Sequence, residues 1–400
     1  MANEVKNVPE LRFPEFRNEW EDIKFENIFQ EVSNKTGDLV KNPLFSLTVE
    51  NGITPKSDRY KRDFLVKKND NFKIVEPNNI VYNPMNVTLG AIDLSNYNYN
   101  LAVSGYYHVL KIINNFNVSF VANFLKTNRM ITHYKKIATG TLIEKQRVHF
   151  SEFKNIIKKF PSIKEQQKIG DFFSKLDRQI ELEEQKLAKL EEQKKGYMQK
   201  IFSQELRFKD EKGNEYPEWE EKKLGDILER GNKDKVNEIG KYRRLTISLH
   251  GKGLYEVKQE RKTKDTRPFY QRFEGELIIG KQNFFNGSIA IVTREFNGFI
   301  CSNAIMSYKI SNHMNRKYLL EYLLQNDFLR KNEYLADGTG QKELSEKKFE
   351  ELEIKLPNSI NEQQKIGVFL ERLDNLIEKQ SNKLELLKQR KKSFLQKMFV

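Results

Sequence analysis

Forty residues of this chain occur twice. Ile163 to Phe202 returns as Ile360 to Phe399 at a constant shift of 197 positions, with 20 of 40 residues identical and no gap. The longest shared block, Glu165-Gln-Gln-Lys-Ile-Gly170, reappears as Glu362-Gln-Gln-Lys-Ile-Gly367. A repeat of this length at a fixed offset makes the chain two tandem half-molecules, so any admissible fold is one that is built twice.

Upstream of the helices the duplication is fainter. Leu11-Arg12-Phe13 matches Leu206-Arg207-Phe208, Trp20 matches Trp219, Ile28 matches Ile227, and Val75 to Ile92 reads as a diverged form of Phe273 to Ile289. Each half is a variable globular stretch followed by a near-constant helix, which divides the 400 residues into 1–160, 161–205, 206–356 and 357–400. The constant part is expected to meet a constant partner, and the variable part something that differs. The formal charge is +14, carried by the globular stretches and the last helix, and points to a polyanion. No apolar run approaches the roughly 20 residues of a membrane span. A cytoplasmic protein with no membrane partner is expected. Cys301 is the only cysteine, which excludes disulfides within the chain, and it reads as a buried small residue in the strand-like Gly298 to Met306.

Ser162-Ile-Lys-Glu165 and Ser359-Ile-Asn-Glu362 fit the capping box at a helix start. Seam positions then step by four and three through Ile169, Phe173, Leu176, Ile180, Glu183, Leu187, Leu190, Lys194, Tyr197 and Ile201. The second copy gives Ile366, Leu370, Leu373, Ile377, Gln380, Leu384, Leu387, Lys391, Phe394 and Met398, a 3.5-residue period in both. The first helix carries the chain about 60 Å toward the second globular stretch, and the second can return along it only in the opposite direction. An antiparallel coiled coil follows. Matching the polar interruptions pairs Glu183 with Lys391, Lys194 with Gln380, Leu187 with Leu387 and Leu190 with Leu384.

The order of variable domain, helix opening Pro161-Ser-Ile-Lys-Glu-Gln-Gln-Lys-Ile-Gly, second variable domain, and helix opening Pro357-Asn-Ser-Ile-Asn-Glu-Gln-Gln-Lys-Ile-Gly resembles the specificity subunit of type I restriction-modification systems. Phe13 and Trp20 at the domain entry and Gly338-Thr-Gly-Gln341 near the exit add to the likeness. In the first copy the exit element is reduced to Thr139-Gly-Thr141. The resemblance implies two target recognition domains, each reading half of a split sequence in double-stranded DNA. It implies that the helices form a spacer and a docking surface for two methyltransferase subunits, with restriction subunits joining the full complex. It also implies no cofactor in this chain: S-adenosylmethionine belongs to the methyltransferase subunits, and ATP and Mg to the restriction subunits.

Cations with aromatic neighbours supply candidate DNA contacts. In the first domain these are Arg59, Lys61, Arg62, Lys67, Lys68, Lys135 and Lys136; in the second, Lys241, Arg243, Arg244, Arg261, Lys262, Lys264 and Arg267. Phosphates want such clusters, and bidentate guanine readout wants arginine. Asn83, Asn86, Gln282 and Asn283 follow strand-like Asn79 to Tyr82 and Glu276 to Ile279 and could read adenine edges, or simply serve as turn residues.

Catalytic signatures are missing. There is no Pro-Pro dipeptide, hence no Asp/Asn-Pro-Pro-Tyr element of an amino-methyltransferase, and no Walker loop, Gly-x-Gly-x-x-Gly or His-Glu-x-x-His. No catalytic or metal-binding residue is assigned, and a single-chain restriction enzyme is disfavoured. A coiled-coil scaffold with two protein-binding domains is the alternative reading. The expected fold class is α+β, with two mixed α/β recognition domains joined by two long antiparallel coiled-coil helices in pseudo-two-fold symmetry. Phe45 to Val49, Tyr106 to Ile112 and Leu277 to Ile279 read as strands, and Ser119 to Thr127 and Arg316 to Lys331 as equivalent helices.

Overall fold

The computed structural model describes residues 8–56, 72–140, 146–257, 267–335 and 343–400. It divides into two compact units, one of residues 1–185 and 381–400, the other of residues 186–380. The division cuts through both long helices, so each unit is one globular domain together with the helix segments nearest to it. The repeated stretch forms α4 (Ile163–Phe202) and α9 (Ile360–Lys397).

In the first unit the chain runs through β1 (Glu21–Lys24), β2 (Phe29–Val32), β3 (Lys35–Thr36), β4 (Phe45–Thr48), β5 (Gly52–Pro55) and β6 (Phe72–Val75). It continues through β7 (Ile80–Tyr82), β8 (Ile92–Leu94), β9 (Leu101–Val103), β10 (His108–Ile112), α1 (Val118–Leu125), α2 (Asn128–Ile137), α3 (Phe150–Phe153) and β11 (Ile157–Phe160). The central sheet has the order β2-β10-β7-β8, flanked by a β3-β6-β9 sheet and the β4-β5 hairpin, while β1 pairs with β11.

The second unit repeats this plan with β12 (Trp219–Lys223), α5 (Leu224–Ile227), β13 (Leu228–Arg230), β14 (Leu245–Ile247), β15 (Leu254–Glu256), β16 (Phe269–Gln271) and β17 (Leu277–Gly280). It goes on through β18 (Ile289–Ile291), β19 (Ile300–Ser302), β20 (Ile305–Ile310), α6 (Arg316–Leu323), α7 (Asn326–Asn332), α8 (Glu346–Glu350) and β21 (Glu353–Pro357). Its central sheet, β13-β20-β17-β18, has the topology of the first, and β12 pairs with β21 as β1 does with β11.

Sheet burial explains why the strand signals are short apolar blocks and not alternations. In β7, Ile80 and Tyr82 enter a core shared with α1 and α4, while Val81 enters a second core with Phe45, Leu47 and Val103. In β17, Leu277 and Ile279 face the helices and Ile278 faces Leu245, Val292 and Cys301. Strands covered on both faces have no polar side to show. Cys301 is buried in β19, where Arg272 Nε donates to its Sγ at 3.1 Å.

The expected helix Ser119 to Thr127 is α1, and a second helix that was not expected, α2, follows it directly. Asn117 Oδ1 caps α1 by accepting from Phe120 N at 2.8 Å, and Thr127 Oγ1 then caps α2 by accepting from Met130 N at 3.3 Å. The Arg316 to Lys331 stretch breaks after Leu323, at Leu324 and Gln325, between α6 and α7.

The antiparallel pairing of α4 and α9 is visible inside each unit, but its register differs from the expected one. Glu183 pairs with Lys383 at 2.5 Å instead of Lys391, which pairs with Asp177 at 2.5 Å; Lys194 pairs with Asp374 at 2.6 Å instead of Gln380. A slip of about one heptad keeps seam positions facing seam positions, so the 3.5-residue period alone does not choose between registers. The ends choose. Phe172 meets Phe394 edge-on at 5.1 Å in the first unit, and Tyr197 meets Phe369 at 5.1 Å in the second, pairs related by the repeat.

Seam residues Leu176, Ile180, Leu187, Leu190, Leu373 and Ile377 are half-buried, and Leu384 and Leu387 are buried. Ile169 and Phe173, with Met398 and Phe399, belong instead to the core of the first domain, and Ile201, Ile366 and Leu370 to the core of the second. No helix among the described residues is long and apolar enough to cross a membrane.

The second unit carries an ion network in which Lys194 and Lys317 both contact Asp374 and Glu321, at 2.6 to 3.0 Å. Burial pushes the Asp374 carboxyl up, but the two ammonium groups outweigh burial and hold it below the usual carboxylate range. A depressed carboxylate contributes stability that is present above its unfolded value near pH 4 and is lost as pH falls through the lower folded value. Asp374→Asn should therefore cost about 1–2 kcal/mol at pH 7. In thermal melts the gap from wild type should narrow as pH falls below about 4, the unfolded value; a gap that widens with falling pH contradicts this.

Candidate nucleic-acid interface

The shared block on each helix is a fastening for the neighbouring globular domain. Glu165 is 1 % exposed and accepts from Arg12 Nε and Nη2, both at 2.7 Å, while the Trp20 indole donates to it at 3.4 Å. Glu362, 0 % exposed, accepts from Arg207 Nε and Nη2 at 2.9 to 3.2 Å. Trp219 Nε1 is buried without a partner among the described residues, so the two copies differ there. The first capping box is only half made. Glu165 N donates to Ser162 Oγ at 3.4 Å, but the glutamate side chains serve the arginines and not the helix start.

The next residue makes a second attachment. Gln166 donates to the Pro161 carbonyl at 2.9 Å and accepts from Asn117 N at 3.2 Å; Gln363 does the same with Pro357 and Asn315, at 2.9 Å each. Asn315 Oδ1 in turn caps α6 through Tyr318 N at 2.9 Å, as Asn117 caps α1. Gly367 gives this amide its room: a methyl there would meet Asn315 Oδ1 at 2.5 Å, and one at Gly170 would overlap Asn117 Oδ1 more closely still. The most constant residues thus face their own domain.

The entry segments complete the fastening. Leu206 N donates to Lys200 O at 2.9 Å just after α4, and Leu11 N donates to Lys397 O at 2.8 Å at the end of α9. Phe399 packs on Phe120 and Phe124 in the first domain, as Phe202 packs on Tyr318 and Tyr322 in the second. The chain's last residues therefore close the first domain as the end of α4 closes the second.

Above this constant frame the candidate contacts separate into three groups. Arg59, Lys61, Arg62, Lys67 and Lys68, and Arg261, Lys262 and Lys264, lie outside the described residues, as do Gly338 to Gln341 and Thr141. The first two sets nevertheless fall in equivalent connections, between β5 and β6 and between β15 and β16. Exposed Arg267 follows the second set.

Lys135 and Lys136 are exposed in the last turn of α2, whose Tyr134 is buried in the core. They sit in an excess of positive charge. Burial, then Lys136 and Arg129, push the Lys158 ammonium below its usual value, and burial, then Lys158 and Lys136, do the same to His133. In the second domain the cluster is largely neutralised at home. Lys241 pairs with Glu238 at 2.6 Å, Arg243 pairs with Glu256 and lies over Phe299 at 4.5 Å, and half-buried Arg244 lies over Phe269 at 4.5 Å.

The amide candidates meet at one structural position. Asn86 and Asn283 each precede a short 3₁₀ turn and accept from a backbone N–H, Ala91 and Ser288, at 3.0 Å, leaving exposed side chains. Each turn ends on a left-handed glycine, Gly90 at φ 108° or Gly287 at φ 70°, a conformation that side-chain-bearing residues rarely adopt. Asn83 is half-buried, and its Oδ1 accepts from Met85 N at 3.0 Å, a turn role. Gln282 is exposed beside Asn283. Sequence reasoning missed Arg12, Arg207, Asn117 and Asn315 as organising residues. The matched Leu-Arg-Phe triplets were the available signal for the arginines.

Two like-built domains, each fastened by the same arginine–glutamate and asparagine–glutamine contacts to a segment of a duplicated helix pair and each carrying different side chains on an equivalent turn, define a duplicated recognition protein. The type I restriction modification DNA specificity domain matches residues 18–192 and again 216–389. The chain belongs to that family. A putative type I restriction enzyme specificity subunit of Methanocaldococcus jannaschii, MjaX, is 28% identical over 217 residues, 50% of this chain and 49% of that protein, so the alignment spans about half the length of this relative. The fold is similar to the crystal structure of a type I restriction-modification S subunit from M. genitalium, at TM-score 0.62 and 16% identity over 98% of this chain and 99% of that one. A second solved chain, from work on complex assembly and conformational transition of the type I R-M system, has TM-score 0.51 and 14% identity over 95% of this chain and 97% of that one.

The charge census sorts the contacts experimentally. Lys135→Glu with Lys136→Glu should weaken duplex binding for all sequences and flatten the slope of log K against log salt by about 2. Lys241→Ala with Arg243→Ala, whose charges are already matched, should change that slope by less than about 0.5. Equal effects from both pairs in a salt titration would contradict the assignment.

Proposed function

We propose that this chain is the non-catalytic specificity subunit of a type I restriction-modification complex. One recognition domain reads one half of a bipartite target in double-stranded DNA, and the other domain reads the other half. The observation that carries the reading is the repeated arginine–glutamate and asparagine–glutamine fastening under two domains whose exposed turns differ: a constant mount with interchangeable reading surfaces. Because the domains differ, so do the half-sites, unlike the palindrome read by a homodimer at half-sites about one helical turn apart. The α4 and α9 pair sets the spacing and docks two methyltransferase subunits, which flip an adenine in each half-site and modify it with S-adenosylmethionine. Restriction subunits, with ATP and Mg, join the full complex.

Helix length tests the spacing role. Insertion of four residues, roughly one turn, in the middle of α4 or α9 should change the accepted spacer or abolish binding. Duplex binding with the methyltransferase partner present, measured over a series of spacer lengths, reads this out. An unaltered spacer preference removes the ruler.

A further inference from the structure

Each domain is hydrogen-bonded to its helix from two different elements. Arg12 reaches Glu165 from the entry segment, and Asn117 reaches Gln166 from the start of α1. One attachment would leave a pivot; the second, with Ile169 and Phe173 or Ile366 and Leu370 seated in the domain core, restricts rotation about it. Both are made without slack, since the glutamate is buried, the glutamine is 1 % exposed in either copy, and the glycine leaves the asparagine no room for one added methyl. Interiors packed this closely respond to a single methyl by shifting what they hold.

A domain of this size has a radius of gyration near 15 Å, which puts its far face roughly 30 Å from the helix, so a tilt of about 10° moves that face by about 5 Å. One base-pair step is only about 3.4 Å of rise and about 35° of twist. The angle at which a domain leaves its helix therefore matters as much as the length of the helix.

We propose that Glu165, Gln166 and Gly170, with Glu362, Gln363 and Gly367, are positioning residues for spacer selectivity, touching no DNA but fixing the angle of each recognition domain. The proposal rests on the two-part target described above. The helix sets the coarse spacing and the fastenings set the fine one. Loosening either fastening leaves each domain's own base contacts intact and blurs the distance between them.

The test uses the full chain with its methyltransferase partner. The wild-type complex selects its site from a randomised duplex pool, and binding is then measured at the selected spacer and at spacers one base pair longer and shorter. Gly170→Ala and Gly367→Ala should keep the half-site sequences and lose discrimination against the wrong spacers by about tenfold or more, the scale of one mismatched base pair. Should the added methyl prevent folding, Glu165→Gln and Glu362→Gln, which keep the side-chain shape, carry the same test. Variants that bind all three spacers more weakly by one common factor, with discrimination intact, overturn the proposal. A wild-type complex that selects one continuous site overturns the two-part reading along with it.

Discussion

A single buried carboxylate on each long helix holds a whole domain in place. Glu165 and Glu362 are almost without solvent contact, and a charge so placed is tolerable only when it is paired and hydrogen-bonded. Removing one partner of such a pair typically costs about 3–5 kcal/mol, because the other charge is left buried and unmatched. Arg12 and Arg207 therefore cannot wander. The entry segment, the first strand it leads into and the helix start are fixed together, and the adjacent glutamine ties in α1 or α6.

The duplication is closest where it concerns this mount, the tryptophan contact apart, and looser elsewhere. Lys391 with Asp177 and Lys194 with Asp374 are one ion pair made twice, as are Phe172 with Phe394 and Tyr197 with Phe369. The reading surfaces have diverged in kind. Among the described residues no ion pair forms at Lys135 and Lys136 of α2 in the first domain, while the second pairs Lys241 and Arg243 with glutamates on its own surface. Equal frames with unequal charge fit a protein whose two domains engage different sequences from equivalent positions.

Much of the architecture was legible in the residues. The repeat places α4 and α9 to within a residue or two at their starts and ends, and the apolar blocks at Ile80 and Leu277 mark strands covered on both faces. The helix register was not legible, because a slip of one heptad keeps seam positions opposite seam positions and a seam lysine can reach out to a carboxylate beside the seam instead of a polar partner within it; Phe399 and Phe202, seated in the domain cores, settle it. The capping reading went astray for a related reason. Serine followed three residues later by glutamate is a local signal, and a long-range arginine outcompetes it. Nor could sequence spacing tell that Arg243 is spoken for by Glu256, thirteen residues away across a hairpin, whereas Lys135 and Lys136 are left to solvent.

The central claim is that two unlike domains on one mount choose a two-part DNA site. Modified-base mapping of the host genome, with and without an intact copy of this chain, tests it most directly. The account predicts a methylated motif of two different short blocks separated by an unread gap of fixed length, present with the chain and absent without it. A continuous or palindromic motif, or a methylation pattern indifferent to the chain, would contradict it.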